Sequence, residues 1–431
     1  MKFYSTNRKS PTVELKKAVM NGLAPDGGLY MPETIPKLSA DFFNRAVLLS
    51  FQDVAFEVGK LFFSPVVPEN TLKKIVQESF DFDIPIIKLD RQLYTLELFH
   101  GPTCAFKDFA ARFMAHLFGY FAERSQKEIT ILVATSGDTG SAVAHGFLNV
   151  SGVKVVILYP SGKVSPLQEK QLTGIGGNIS ALEIKGTFDD CQKLAKQAFL
   201  DRELREKITL ASANSINIAR LLPQSFYYVY LCIQLNKKNH PIVVSVPSGN
   251  FGNLTAGIIA KKMGAPIYKF VASTNNNDVV PKYLDTGNFQ PKPSVSTISN
   301  AMDVGDPSNF SRVLELYGND VAKMRNDVYG ASFSDVATRE AILSVFKKYH
   351  YILDPHGSVA YLGLQDFMNK FEGCMGVFLE TAHPAKFFEE VEKVIKEPVS
   401  MPNSLKSYLE REKRVTLLDN DFQKLKNFLL Q

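Results

Sequence analysis

Cysteine is scarce: four residues in a chain of 431, at Cys104, Cys191, Cys232 and Cys374, with no CxxC pair among them. That spacing argues against a disulfide scaffold or a structural zinc site and fits free thiols in a reducing cytosol. The seven histidines include no HExxH, so metalloprotease chemistry has no motif to stand on. No apolar run reaches the roughly 18 residues that cross a bilayer. The opening Met1-Lys2-Phe3-Tyr4-Ser5 has none of the apolar stretch of a secretory signal. A cytoplasmic protein with no membrane partner is the expectation. Internal repeats, low-complexity tracts and long single-sign charge blocks are also missing. The net charge of +5 is too mild to argue for nucleic acid, and it suits a small anionic substrate. No strongly apolar exposed helix stands out, which favours a monomer, with a dimer as the alternative.

What is present is an ordinary globular mix, 45% hydrophobic and 22% charged. At about 150 residues per domain the length suggests two or three domains. Residues 1–80 read as a mostly helical extension, with a strong turn signal at Ala24-Pro25-Asp26-Gly27-Gly28. A strand–loop–helix rhythm follows. Residues 128–134, 153–158, 242–246 and 269–272 are short apolar runs, the first and third leading into small-residue turns and helices. Continuous apolar strands alternating with helices imply parallel sheets covered on both faces. The expected architecture is therefore two parallel-sheet α/β lobes with a cleft between them. The large lobe takes residues 81–105 and 215–395, the small lobe residues 106–214, and residues 396–431 form a helical tail packed on the body. Residues 274–307, rich in Asn, Pro, Ser and Thr, read as a long functional loop.

Three constellations could carry chemistry. In Pro247-Ser248-Gly249-Asn250-Phe251-Gly252-Asn253 a strand ends, the backbone turns tightly and a helix begins. Backbone N–H groups at such a helix start cradle an anion. The sequence is neither a Walker A nor a GxGxxG loop, so a phosphorylated cofactor suits it better than a nucleoside triphosphate. An ordinary βα turn is the simpler reading of this loop taken alone. Thr135-Ser136-Gly137-Asp138-Thr139-Gly140 is a second strand-to-helix junction. Ser136 and Thr139 could hold a substrate anion there and Asp138 a cofactor hydroxyl, although helix capping explains the same residues. In Phe106-Lys107-Asp108-Phe109 an amine flanked by aromatic rings opens a helix. Desolvation makes an amine nucleophilic, whereas most lysines are solvated and Asp108 with Arg112 could be a simple i,i+4 pair. One cofactor makes all three useful together. Pyridoxal 5′-phosphate needs a lysine, a phosphate cradle and a partner for its ring nitrogen, and Thr381 could be that partner. A neutral hydroxyl there leaves the ring a weaker electron sink than an Asp would.

The segments LELFHGPTCAFKDFAARF (residues 96–113), ATSGDTGSA (134–142), VPSGNFGN (246–253) and ETAHPAKF (380–387) resemble the threonine synthase family. So do PDGGLYMPE (25–33), LYPSGKVSPLQEKQL (158–172), NSINIARLLPQ (214–224) and LDPHGSVAY (353–361). The matches run in order over essentially the whole chain, in the manner of the longer microbial and fungal type. The resemblance implies a fold-type-II pyridoxal-phosphate enzyme that turns O-phospho-L-homoserine and water into L-threonine and phosphate. It makes Lys107 the cofactor-bonding lysine and catalytic base, Gly249, Asn250, Phe251, Gly252 and Asn253 the phosphate loop, and Thr381 the ring-nitrogen partner. Asp138 falls where many fold-type-II relatives carry an Asn facing the cofactor's 3′-oxygen. Arg112, Lys163 and Arg220 are the candidates for gripping the substrate phosphate. Cys104 and Ala110-Ala111 depart from a more usual Leu and Gly-Gly and bear on how tightly substrate fits. The competing readings are a phospholyase releasing 2-oxobutyrate and a non-enzymatic binder of small phosphates.

Overall fold

Apolar strand runs sort into three sheets in a computed structural model that describes residues 1–64, 66–135, 137–235 and 240–431. In chain order the first three strands are β1 (Lys2–Ser5), β2 (Val13–Glu14) and β3 (Tyr30–Pro32), an antiparallel set in the order β2-β1-β3. Then come β4 (Ile86–Lys88), β5 (Leu93–Glu97), β6 (Ile129–Ala134), β7 (Val153–Pro160), β8 (Ile179–Lys185) and β9 (Thr209–Ser212). The chain continues with β10 (Ile242–Pro247), β11 (Ile267–Thr274), β12 (Val328–Ser332), β13 (Met375–Glu380) and β14 (Thr416–Asp419). The larger sheet has the order β12-β11-β10-β13-β5-β4 and is parallel except for β4, which runs against β5. The smaller sheet, β14-β8-β7-β6-β9, is parallel throughout. Every residue of β6, β10 and β13 is buried, as strands covered by helices on both faces must be. The four runs picked out as strands lie on β6, β7, β10 and β11.

The N-terminal extension is helical at Leu15–Asn21, Phe51–Phe63 and Glu69–Ser79. Ser50 and Asp53 form a reciprocal capping box that starts the second of these helices and satisfies donors at its free end. Phe51 then packs edge-on against Phe80 at 5.2 Å and Phe109 at 5.8 Å. Phe109 lies two residues past Lys107, so the extension supports the helix that carries that amine.

Two expectations change. The tail is helical at Asn403–Leu409 and Phe422–Leu429, but between them β14 pairs with β8 and becomes an edge of the smaller sheet. A four-residue strand gives too little alternation to be seen in sequence. Within residues 274–307 a helix, Val279–Thr286, buries Val279, Val280, Tyr283 and Leu284. The surrounding Asn and Pro hide that stripe, and Asn275, Asn277 and Thr297 hydrogen-bond around Asp303 to fix the rest of the segment.

Arg312 ties the extension, through Tyr30, to the segments around Ile216 and Asn309. Its fully buried guanidinium donates to the Tyr30 carbonyl at 3.0 and 3.2 Å, the Ile216 carbonyl at 2.7 Å and Asn309 Oδ1 at 2.7 Å. Among the described residues no carboxylate accompanies it, and burial pushes its pKa down to about 9. Arg312→Leu leaves two buried carbonyls without a donor, and is expected to lower stability by about 2–4 kcal/mol in urea denaturation.

Candidate active site

Ligands of open parallel sheets gather at the carboxyl ends of the strands. Here five such ends supply the candidate residues. After β5 the chain runs to Lys107, which starts the helix Lys107–Ser125. β6 leads to Asp138 at the start of the helix Asp138–Gly146, and β9 leads to Arg220 in the helix Ile218–Leu221. β10 leads into residues 248–251 and the helix Gly252–Met263, and β13 ends one residue before Thr381.

Lys107 Nζ stands 3.4 Å from Asp138 Oδ2 and 5.4 Å from the centre of the Phe106 ring, with its side chain 16% exposed. Burial lowers its pKa, the charges on Lys386 and Arg220 push the same way, and Asp138 opposes them. Asp138 is itself buried. Burial disfavours its charge, but Lys386 and Lys107 together hold its carboxyl well below the usual carboxylate range. Oδ1 accepts from Lys386 Nζ at 2.5 Å and Gln168 Nε2 at 2.9 Å. Asp138 therefore does not cap its helix. Gly137 occupies the cap position, and Thr135 Oγ1 accepts from the Gly137 and Gly140 amides at 3.0 and 2.9 Å. Thr139 is half-buried in the first turn, and Ser136 lies outside the described residues.

The glycine-rich turn after β10 has the shape of an anion cradle. Phe251 sits in the left-handed region at φ 61° just before the helix, a conformation uncommon for residues other than glycine. The first amides of the helix Gly252–Met263 have no acceptor within the helix. Gly249 is the close-approach position: a Cβ there would lie 2.7 Å from Met302 Cα and 2.8 Å from the Ala301 carbonyl. Side chains around the turn are half satisfied. Asn250 Nδ2 donates to Ser215 Oγ at 2.7 Å, and Asn253 Oδ1 accepts from Tyr227 and Tyr228 at 2.6 and 2.7 Å. Asn250 Oδ1, Asn253 Nδ2, Asn214 Oδ1 and Arg220 Nε are buried without a partner among the described residues. Buried polar atoms left open in this way are places for a ligand. Tyr227 also packs on Phe109 at 5.3 Å, linking the turn to the Lys107 helix. Thr381 is buried and its carbonyl accepts from the Phe106 amide at 2.9 Å, next to Lys107.

The three basic candidates separate. Arg220 is buried, gives one N–H to the Ala213 carbonyl at 2.6 Å, and is held by burial at about 10. Arg112 points elsewhere: it pairs with Asp81 at 2.7 Å and donates to the Glu78 carbonyl at 2.6 Å. Five residues along a helix turn a side chain about 140° away from the face of Lys107. Asp108 does not pair with Arg112 either. It accepts from the Thr103 amide and hydroxyl at 2.8 and 2.7 Å, and burial raises it to about 6. Lys163 is exposed on the loop between β7 and the helix Pro166–Thr173, outside the buried cluster. Sequence reading missed Lys386, Gln168, Asn214 and Ser215 as site residues. The signal was available, because each lies in a segment that carries the family resemblance.

Three family models match the chain: Pyridoxal-phosphate dependent enzyme over residues 82–375, Threonine synthase N terminus over 2–80, and Threonine synthase, C-terminal over 359–429. The threonine synthase of Haemophilus influenzae is 46% identical over 432 residues, which cover all of both chains. The chain belongs to the threonine synthase family. Among solved structures, threonine synthase from Escherichia coli superposes with a TM-score of 0.93 at 42% identity, covering 100% of this chain and 99% of that one. The pyridoxal-phosphate-bound threonine synthase from Brucella melitensis superposes at 0.94 with 33% identity and the same coverage. The fold is accordingly that of the fold-type-II pyridoxal-phosphate enzymes, and pyridoxal phosphate is the family's cofactor. The residues present suit that group: a desolvated amine, a tight turn with open donors, and a hydroxyl residue beside the amine. Gly249→Ala should weaken pyridoxal-phosphate binding at least tenfold in a fluorescence titration, since the turn must shift to admit the methyl group.

Proposed function

We propose that this chain converts O-phospho-L-homoserine and water into L-threonine and phosphate, with Lys107 as the base. The observation that carries this reading is the Lys107 amine, held 3.4 Å from a buried carboxylate and lowered in pKa by burial. In this reading Lys107 bonds the cofactor, the turn at Gly249, Asn250, Phe251, Gly252 and Asn253 receives its phosphate, and Thr381 meets its ring nitrogen. Asp138 faces the ring oxygen. Pyridoxal phosphate, when bound, supplies an aldehyde and an electron-withdrawing ring that acidify the neighbouring C–H bonds of an amino-acid substrate.

The remaining steps fall to the chain's own groups. A neutral Lys107 Nζ can take the proton from the substrate α-carbon; loss of a β-proton then lets phosphate leave from the γ-carbon, Lys107 can return a proton there, and water adds at the β-carbon. Arg220, buried and with Nε unpaired, is the best placed of the three basic candidates to hold the dianionic substrate phosphate. Asn214 and Ser215 on the same segment add polar atoms, and Thr139 is the described hydroxyl at the start of the Asp138 helix. Residues 81–105 with 215–395 form the cofactor lobe in this reading, and residues 106–214 the smaller lobe. A monomer in the cytoplasm completes it. Four buried free thiols fit a reducing compartment, and no helix among the described residues is long and apolar enough to cross a membrane.

Lys107→Ala is expected to lower threonine formation at least about a thousandfold, read by amino-acid analysis of O-phosphohomoserine turnover. Keto acid without threonine from the unaltered enzyme would overturn the hydration step and favour the phospholyase. Arg220→Leu should raise KM for the phosphorylated substrate by about tenfold or more while the protein still binds pyridoxal phosphate.

A further inference from the structure

Lys386 has no part in the roles assigned so far. It lies on the 3-10 turn Pro384–Phe387 with its side chain fully buried, and Nζ has two close acceptors, Asp138 Oδ1 at 2.5 Å and the Thr103 carbonyl at 3.1 Å. A lysine with no access to water keeps its charge only beside a carboxylate. Asp138 thus serves two amines at once, Lys386 by a short bond to one oxygen and Lys107 by a 3.4 Å contact to the other.

We infer that Lys386 is a positioning residue that claims the Asp138 carboxylate and thereby leaves Lys107 as a neutral amine. The inference rests on the reading of Lys107 as the reactive lysine and deepens it. Charge balance in the cluster supports it. Lys107 is faced by Asp138 from the helix Asp138–Gly146, by Lys386 from the 3-10 turn and by Arg220 from the helix Ile218–Leu221. Lys386 in turn faces Asp138, Asp108, Cys104 and His383. Burial raises the Cys104 thiol, and burial with the nearby His100 keeps His383 at about 4, so both are neutral at pH 7. Two carboxylates, Asp108 and Asp138, then face three cations, Lys107, Lys386 and Arg220. Arg220 and Lys386 are fully enclosed and hydrogen-bonded, while Lys107 has one long contact and some exposure. Release of the Lys107 proton brings the cluster to neutrality.

The direction of the effect follows. Without Lys386, Asp138 keeps the neutral Gln168 amide and Lys107, the Lys107 ammonium no longer shares its counter-ion with a second lysine, and its titration midpoint rises. The test is trace labelling of the full-length protein, freed of pyridoxal phosphate, with acetic anhydride across pH, with Lys107 modification read by peptide mass spectrometry. In the unaltered protein Lys107 should titrate below ordinary lysines. In Lys386→Met the midpoint should rise by about one unit or more, so that labelling at a pH below both midpoints slows about tenfold. Lys386→Arg, which keeps the charge, should restore most of the difference. An unchanged midpoint in Lys386→Met overturns the inference. If that variant does not fold, an ordinary lysine midpoint for Lys107 in the unaltered protein overturns it instead. Failure of pyridoxal phosphate to form a borohydride-reducible adduct on Lys107 counts against the underlying reading, whatever the midpoint. An adduct on Lys107 together with an unmoved midpoint counts against Lys386 alone.

Discussion

A single buried carboxylate organises this molecule. Asp138 lies out of water at the start of one helix, and its charge is retained only because two lysines from distant parts of the chain reach it. Lys107 arrives from the segment after β5, Lys386 from the turn after β13, and Asp138 itself from the end of β6. The larger sheet must set β5 and β13 side by side, and the smaller sheet must present β6 opposite them, before any of these contacts forms. The cost of burying the charges is recovered only when that geometry is complete. The ion cluster therefore reports on correct assembly of both sheets.

Packing around the cluster distributes the same constraint. The Phe109 ring, two residues from Lys107, meets Phe51 of the extension on one side and Tyr227 on the other. Tyr227 passes the connection to Asn253 at the glycine-rich turn through its hydroxyl. Aromatic rings fix distance and angle with few rotatable bonds, so the amine and the turn are spaced by rigid parts. On the far side of the turn, Gly249 lets the backbone touch the segment at Ala301 and Met302, where the Ala301 amide donates to His356 at 3.2 Å. His356 is bonded to Asp354, which caps the helix Pro355–Lys370 beneath the larger sheet.

Much of this was legible in the chain itself. Continuous apolar runs at β6, β7, β10 and β11 announce buried parallel strands because burial on both faces leaves no polar alternation to read. Gly249, in the turn after β10, and Lys107, at the start of a helix, stand out because they suit neither strand nor core. Lys386 was hidden for the opposite reason. A lysine in a loop looks like a solvated surface group, and only tertiary structure reveals that its ammonium lies fully enclosed against Asp138. Arg112 misled in the complementary way: its charge was right, but the helical phase turns it toward Asp81. The strand β14 was lost because four residues carry too little periodicity, and the helix Val279–Thr286 because its flanks are rich in turn-forming residues.

The placement of β14 has a consequence for biosynthesis. The smaller sheet is begun by β6 at residues 129–134, yet its outer edge is supplied by residues 416–419. As the polypeptide leaves the ribosome, β8 therefore emerges with one side of its hydrogen-bonding ladder open, and it stays so until residues 416–419 have been translated. An open parallel edge is a site for unwanted pairing between nascent chains. The late arrival of β14 thus exchanges the seven-residue edge of β8 for one of four residues, and products cut short upstream of it keep the longer edge open.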